Sequence, residues 1–255
     1  AFVQGRDGES IDPVSGDIEA DAGLDFQSPY LVKLLSSAPL SDHISYYFYA
    51  IFAEKGGNGE VVVEDAWFSY DDLFDTGIDA MLGQFQVSDV MFPREVRMTF
   101  QDFMLYRAAG ITYERGILFG KGLGGLDVSL GFVNGSGISQ NFSINSPGYR
   151  RPDKMFDNDS QKSVFGRLGG DIGPVSVGLF GLSGRHVTGP AGTESGDRRT
   201  DKLVAGIDVS GNINGKWYWF GQYLWNRWDG FIDPGTKYDW SGMFAGVDYL
   251  HNDKW

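Results

Sequence analysis

The links between extended segments constrain this chain more than any single motif. Apolar and polar residues alternate with period two in segment after segment. Ile44, Tyr46, Phe48, Ala50 and Phe52 alternate with Ser45, Tyr47, Tyr49 and Ile51. Ala66, Phe68 and Tyr70 oppose Asp65, Trp67 and Ser69. The cleanest case sets Leu126, Val128, Leu130 and Phe132 against Asp127, Ser129 and Gly131. Further strands are predicted over 30–40, 78–86, 109–120, 162–170, 175–184, 202–210, 217–228 and 238–250. The links at 171–174, 211–215 and 251–254 are tight, those at 87–108, 135–161, 185–200 and 229–237 are long, and the two kinds alternate. In an up-and-down meander this gathers the tight turns at one end and the long loops at the other, whereas a Greek-key sandwich has less reason to keep the order.

Composition narrows the environment. With no cysteine, the chain has no disulfide framework and no Cys-x-x-Cys-His attachment for a c-type haem. A net charge of −13 argues against nucleic acid, which wants a basic patch. No apolar run reaches the ~18 residues of a transmembrane helix, the longest being about 46–53. Abundant glycine (37 residues) and an aromatic share of 15% suit twisted antiparallel strands with aromatic girdles. The expected fold is therefore all-β: an antiparallel up-and-down transmembrane β-barrel over 30–255, preceded by an acidic segment at 1–29 with one short strand. The chain starts at Ala1 without a charged and apolar leader, so export with a signal peptide already removed is inferred. His251-Asn252-Asp253-Lys254 reads as a turn, with Trp255 beginning another strand, so the barrel is expected to need strands beyond the ten or eleven visible.

The stretch from Gly77 to Arg107 breaks the alternation. After the strand ending near Gln86, Pro93 fixes φ and removes a donor, and Arg94, Glu95, Arg97 and Asp102 crowd among Met91, Phe92, Met98, Phe100 and Phe103. A loop of this mixture suits the lumen of a barrel, with its apolar side on the wall and its charges toward water. Glu64-Asp65-Ala66, then Leu82-Gly83-Gln84-Phe85, the charged loop and a closing Tyr106-Arg107 resemble outer-membrane porins of the phosphate-selective type. They also resemble the barrel part of porin–cytochrome outer-membrane proteins. The likeness is good over about 41–107 and general thereafter. It implies a bacterial outer-membrane channel whose loop 87–108 enters the lumen, with Arg94, Glu95, Arg97, Asp102 and Arg107 at the constriction and Gln84, Gln86, Asp127 and Ser129 facing the lumen. Its partners would be outer-membrane lipid and small polar solutes or ions, in a homotrimer or with a c-type cytochrome seated in the barrel. Phosphate fits poorly as the solute, because 21 Lys and Arg stand against 34 Asp and Glu.

Other motifs reduce to structure. Gly120-Lys121-Gly122-Leu123-Gly124-Gly125 has the glycine spacing of a dinucleotide loop, but period-two alternation follows it, so it reads as a hairpin turn. Asp157-Asn158-Asp159-Ser160 lacks the rest of a calcium loop. His43, His186 and His251 have no catalytic or metal-ligand spacing, so neither an enzyme, a metal nor a cofactor is expected. Trp217, Trp219, Trp225, Trp228 and Trp240 are expected near strand ends at the membrane interface. Three functions stay open: a passive channel, the sheath of an electron conduit, and a soluble or surface β-domain that binds a ligand.

Overall fold

The computed structural model describes residues 2–6, 9–11, 18–20, 23–27, 31–53, 60–92, 103–135, 161–187, 199–230 and 235–251. The N-terminal part forms four short strands where one was expected: β1 (Phe2–Arg6), β2 (Glu9–Ile11), β3 (Ile18–Ala20) and β4 (Gly23–Gln27). β1 pairs with β4, and β2 with β3, both antiparallel.

Eleven longer strands make one sheet: β5 (Leu31–Pro39), β6 (Ile44–Ala53), β7 (Glu60–Tyr70), β8 (Asp79–Gln86), β9 (Tyr113–Leu123), β10 (Leu126–Val133), β11 (Ser163–Ile172), β12 (Val175–Val187), β13 (Arg199–Ile213), β14 (Trp217–Asp229) and β15 (Lys237–Tyr249). Each pairs with its neighbours in sequence, always antiparallel, as an up-and-down meander requires. Tight links at 40–43, 124–125, 173–174 and 214–216 lie at one end with the longer link 71–78, and the links at 87–112, 134–162 and 188–198 lie at the other. Gly124 and Gly125 close the shortest hairpin with φ of +60° and +95°, a backbone that a side chain would resist. The register slips once, between Tyr49 and Ala50, where Glu64 is the extra residue of a β-bulge. Among the described residues β5 pairs only with β6 and β15 only with β14. Ten reversals of direction make those two edge strands parallel, so direct pairing between them would be the one parallel contact in the sheet.

The two faces differ. On one, Leu82, Leu130, Leu168, Leu179, Ile207, Met243 and Val247 point away from the rest of the protein and are exposed. On the other, Phe85, Val133, Phe165, Phe180, Leu182, Val204 and Leu224 form a buried cluster. That second face is concave in function: it holds the segment between β8 and β9. On the outward face the long-loop end carries a row of charge across four strands, Arg185 opposite Asp201, Asp201 opposite Asp229, and Asp229 opposite Lys237. Arg227 pairs with Asp239 at 2.8 Å one step below. At the short-turn end Trp217 and Tyr249 bring their rings to 4.4 Å. Ten residue steps along β14 separate Arg227 from Trp217, roughly 33 Å of strand. At the usual tilt near 40° that becomes an apolar band about 25 Å tall, the height that bilayer-spanning barrels present.

The tryptophans divide between the faces, which corrects the interface belt. Trp217, Trp219 and Trp225 share the outward face. Trp228 is 4% exposed on the inner face, and Trp240 packs against the interior cluster. Both lie inward because they alternate in phase with Leu224 and Phe244.

Candidate functional site

The segment after β8 supplies the interior with its own core. Residues Val87–Val90 form a 3-10 turn, and α1 (Met104–Ala109) follows the charged stretch. A six-residue helix has too few hydrogen bonds to persist alone. Packing holds it: Tyr106, Ala109 and Ile111 are fully buried. Phe103 stacks on Phe244 of β15 at 4.2 Å with planes 11° apart. Tyr106 meets the same ring edge-on at 5.6 Å, and Phe92 approaches Phe220 at 5.5 Å. These rings join excursion and wall into one apolar block.

Charge fixes the end of the helix. Gly110, with φ +59°, caps α1 by returning its N–H to the Tyr106 and Arg107 carbonyls. Its own carbonyl accepts a 2.5 Å hydrogen bond from Lys202 Nζ on the inner face of β13. A cation belongs there, because the last carbonyls of a helix carry its negative end. The same ammonium stands 5.3 Å over the Trp228 ring.

Below this block the concave wall turns polar. Arg167 on β11 binds Asp208 on β13 through two hydrogen bonds, Nη2 to Oδ1 at 2.6 Å and Nε to Oδ2 at 3.0 Å. Asp127 and Ser129 alternate in phase with Gly131 and buried Val133, so they too belong to this face.

The expected constriction residues fall differently. Arg94, Glu95, Arg97 and Asp102 lie outside the described residues. Arg107 sits in α1, partly buried, and its Nη2 is enclosed without a hydrogen-bond partner among the described residues. Burial lowers its pKa, yet a guanidinium stays charged at any working pH.

Gln84 and Gln86 alternate with Phe85, a member of the interior cluster, so their side chains leave the sheet on its other side, where both are buried, 8 and 3% exposed. Gln84 is consumed by the bulge: its amide donates to the Val63 and Glu64 carbonyls at 2.6 and 2.9 Å, and its oxygen accepts from Arg115 at 3.0 Å. Gln86 donates to Ser88 at 2.8 Å. The interior at this level is not purely apolar, because Glu114, the register partner of Phe85, is buried there and accepts the Gly135 N–H at 3.1 Å.

Lys202, Arg167 and Asp208 had not been singled out from sequence. The available signal was that Arg167 and Lys202 are isolated basic residues inside strands and share a phase with large apolar neighbours, Phe165 and Val204.

No protein-family model matches the chain, and no curated sequence matches it. Among solved structures it is similar to in-vitro folded OmpT, an outer membrane protein of Vibrio cholerae, at 12% identity and a TM-score of 0.49, over 88% of this chain and 74% of that one. The trimer form of the same protein gives 11% and 0.46, over 94% and 80%. Its loop L8 deletion mutant gives 11% and 0.47, over 96% and 85%.

Proposed function

We propose that this chain forms the wall and filter of a bacterial outer-membrane channel for passive passage of small polar solutes or ions. One observation carries the reading: the inverted polarity of the sheet. Strands β8, β12 and β15 expose Leu82, Leu179, Met243 and Val247, at 60, 57, 82 and 62%, on a face bounded by a charged row and an aromatic pair. Water would penalise such a surface, and hydrocarbon about 25 Å thick would not. The opposite face offers Asp127, Ser129 and the Arg167–Asp208 pair to an aqueous interior.

The excursion from Val87 narrows that interior, and its mixed charges, Arg94, Glu95, Arg97, Asp102 and Arg107, form the filter. The chain's own Phe92, Phe103 and Tyr106 occupy the space in which a c-type cytochrome would have to sit, which favours the channel over the sheath. The test is purified protein refolded into planar bilayers and held under voltage. Discrete conductance steps are expected. Protein that inserts and shows strand-type circular dichroism yet passes no current would refute the channel, and haem absorbance in material from the native membrane would bring back the sheath.

A further inference from the structure

Arg167 has no part in packing the excursion, and its seating is unusual. To reach Asp208 on β13 from β11, its side chain crosses β12 at Gly178. A Cβ at Gly178 would overlap both nitrogens that bind Asp208, together with Asp208 Oδ2. One at Gly169 would overlap Nη1 and Cζ. Gly169 and Gly178 are register partners, so the two make a floor without side chains on which the guanidinium lies flat. Asp208 is 3% exposed beneath it, and Arg167 keeps 16%. The arginine therefore stands between the carboxylate and the interior. Tyr106 of α1 and Asp127 of β10 lie within its electrostatic reach, so the pair borders the block that holds the helix from below.

On the concave faces of β9 to β15 the lysine and arginine side chains described are Arg167 and Lys202. Lys202 is engaged with the helix end. We propose, resting on the channel reading, that the seated Arg167–Asp208 pair sets the charge preference of the pathway, and that the preference is for cations. Laid on the glycine floor and neutralised, Arg167 neither narrows the interior nor repels a permeating cation, and Asp127, Asp171 and Asp248, in phase with the same face, are left as the charges such an ion meets. In a confined interior of reduced dielectric, carboxylates act strongly on an ion a few ångströms away.

The experiment is the reversal potential in a KCl gradient, measured on wild type, D208N, R167M and the double variant R167M/D208N. Wild type should prefer K⁺. D208N frees a positive charge and should move the permeability ratio several-fold toward Cl⁻, R167M frees a negative charge and should move it toward K⁺, and the double variant should return to the wild-type value. A conducting wild type with a Cl⁻ preference, or one whose ratio none of the variants moves, overturns the proposal while leaving the channel intact. A wild type that inserts without conducting overturns the channel reading instead. Should the single variants fail to fold, Gly178→Ala decides: it keeps every charge but lifts the guanidinium off its floor, so conductance should fall and the ratio should move toward Cl⁻. No change in either quantity in that variant overturns the proposal.

Discussion

Placing one arginine on either face of β10 separates a lipid-facing wall from a buried soluble core. Leu130 is 44% exposed on the outward face, five residues past Gly125 at the short-turn end. Five strand steps at the usual tilt put it about 13 Å above that end, close to the middle of a band about 25 Å tall. Leu130→Arg should therefore cost roughly 2–4 kcal/mol in a bilayer, the cost of a cation at mid-depth on the lipid face of a barrel. Ser129→Arg puts the same charge on the concave face. Its register partner across β11 is Arg167, so a like-charge penalty of about 0.2–1 kcal/mol applies, and little else. The outward substitution should remain costlier after that allowance. Reversible urea unfolding from lipid vesicles, followed by tryptophan fluorescence, measures both. Equal costs, or a larger cost at Ser129, would refute the assignment of faces.

Other outcomes follow from the interior. Lys202→Met removes a buried charge-assisted hydrogen bond to Gly110 and should lower unfolding stability by roughly 1.5–3 kcal/mol in the same assay; a smaller loss would mean that α1 is held by packing alone. Phe103→Ala deletes the ring stacked on Phe244 and should cost somewhat less than the ~3–5 kcal/mol of a fully buried phenylalanine, because Phe103 is only partly buried. Replacing Arg94 and Arg97 together by Ala should change conductance and shift the reversal potential toward cations with strand content unchanged by circular dichroism. If neither electrical quantity moves, those two arginines do not line the pathway.

Strand order was legible because its signal is local and repeated. Period-two alternation survives in β6, β10 and β15, and the turn residues between them read correctly as tight or long. What escaped depends on partners distant in sequence. The bulge at Glu64 arises from a mismatch between β6 and β7 that neither strand shows alone. Helix α1 is too short for a helical period, so Ala109 reads as the start of the next strand, which begins at Tyr113. The phase of β8 is not legible from its polarity, since Phe85 turns to the interior cluster while Gln84 and Gln86, on the other side, are taken up in hydrogen bonds. Their amphipathic rings put Trp228 and Trp240 at the membrane interface on sequence grounds, yet strand phase turns them inward. Arg167, a lone arginine among glycines, is uninformative until Gly178 and Asp208 are set beside it.

The wall is apolar on both sides at one height, and this decides what the excursion can be. Outward leucines find lipid, but Phe85, Phe165, Phe180, Leu182, Val204 and Leu224 point into the interior, where water would leave each uncovered side chain roughly 1.5–3 kcal/mol short of full burial. Met91, Tyr106, Ala109 and Ile111 join them in one cluster, and Phe92 and Phe103 close on it through Phe220 and Phe244. A segment held this way is core as much as filter, and it cannot swing out of the interior without uncovering both surfaces at once. Phe103→Ala should accordingly lower stability and alter conduction together, because the ring it removes belongs at once to the packed block and to the wall of the pathway.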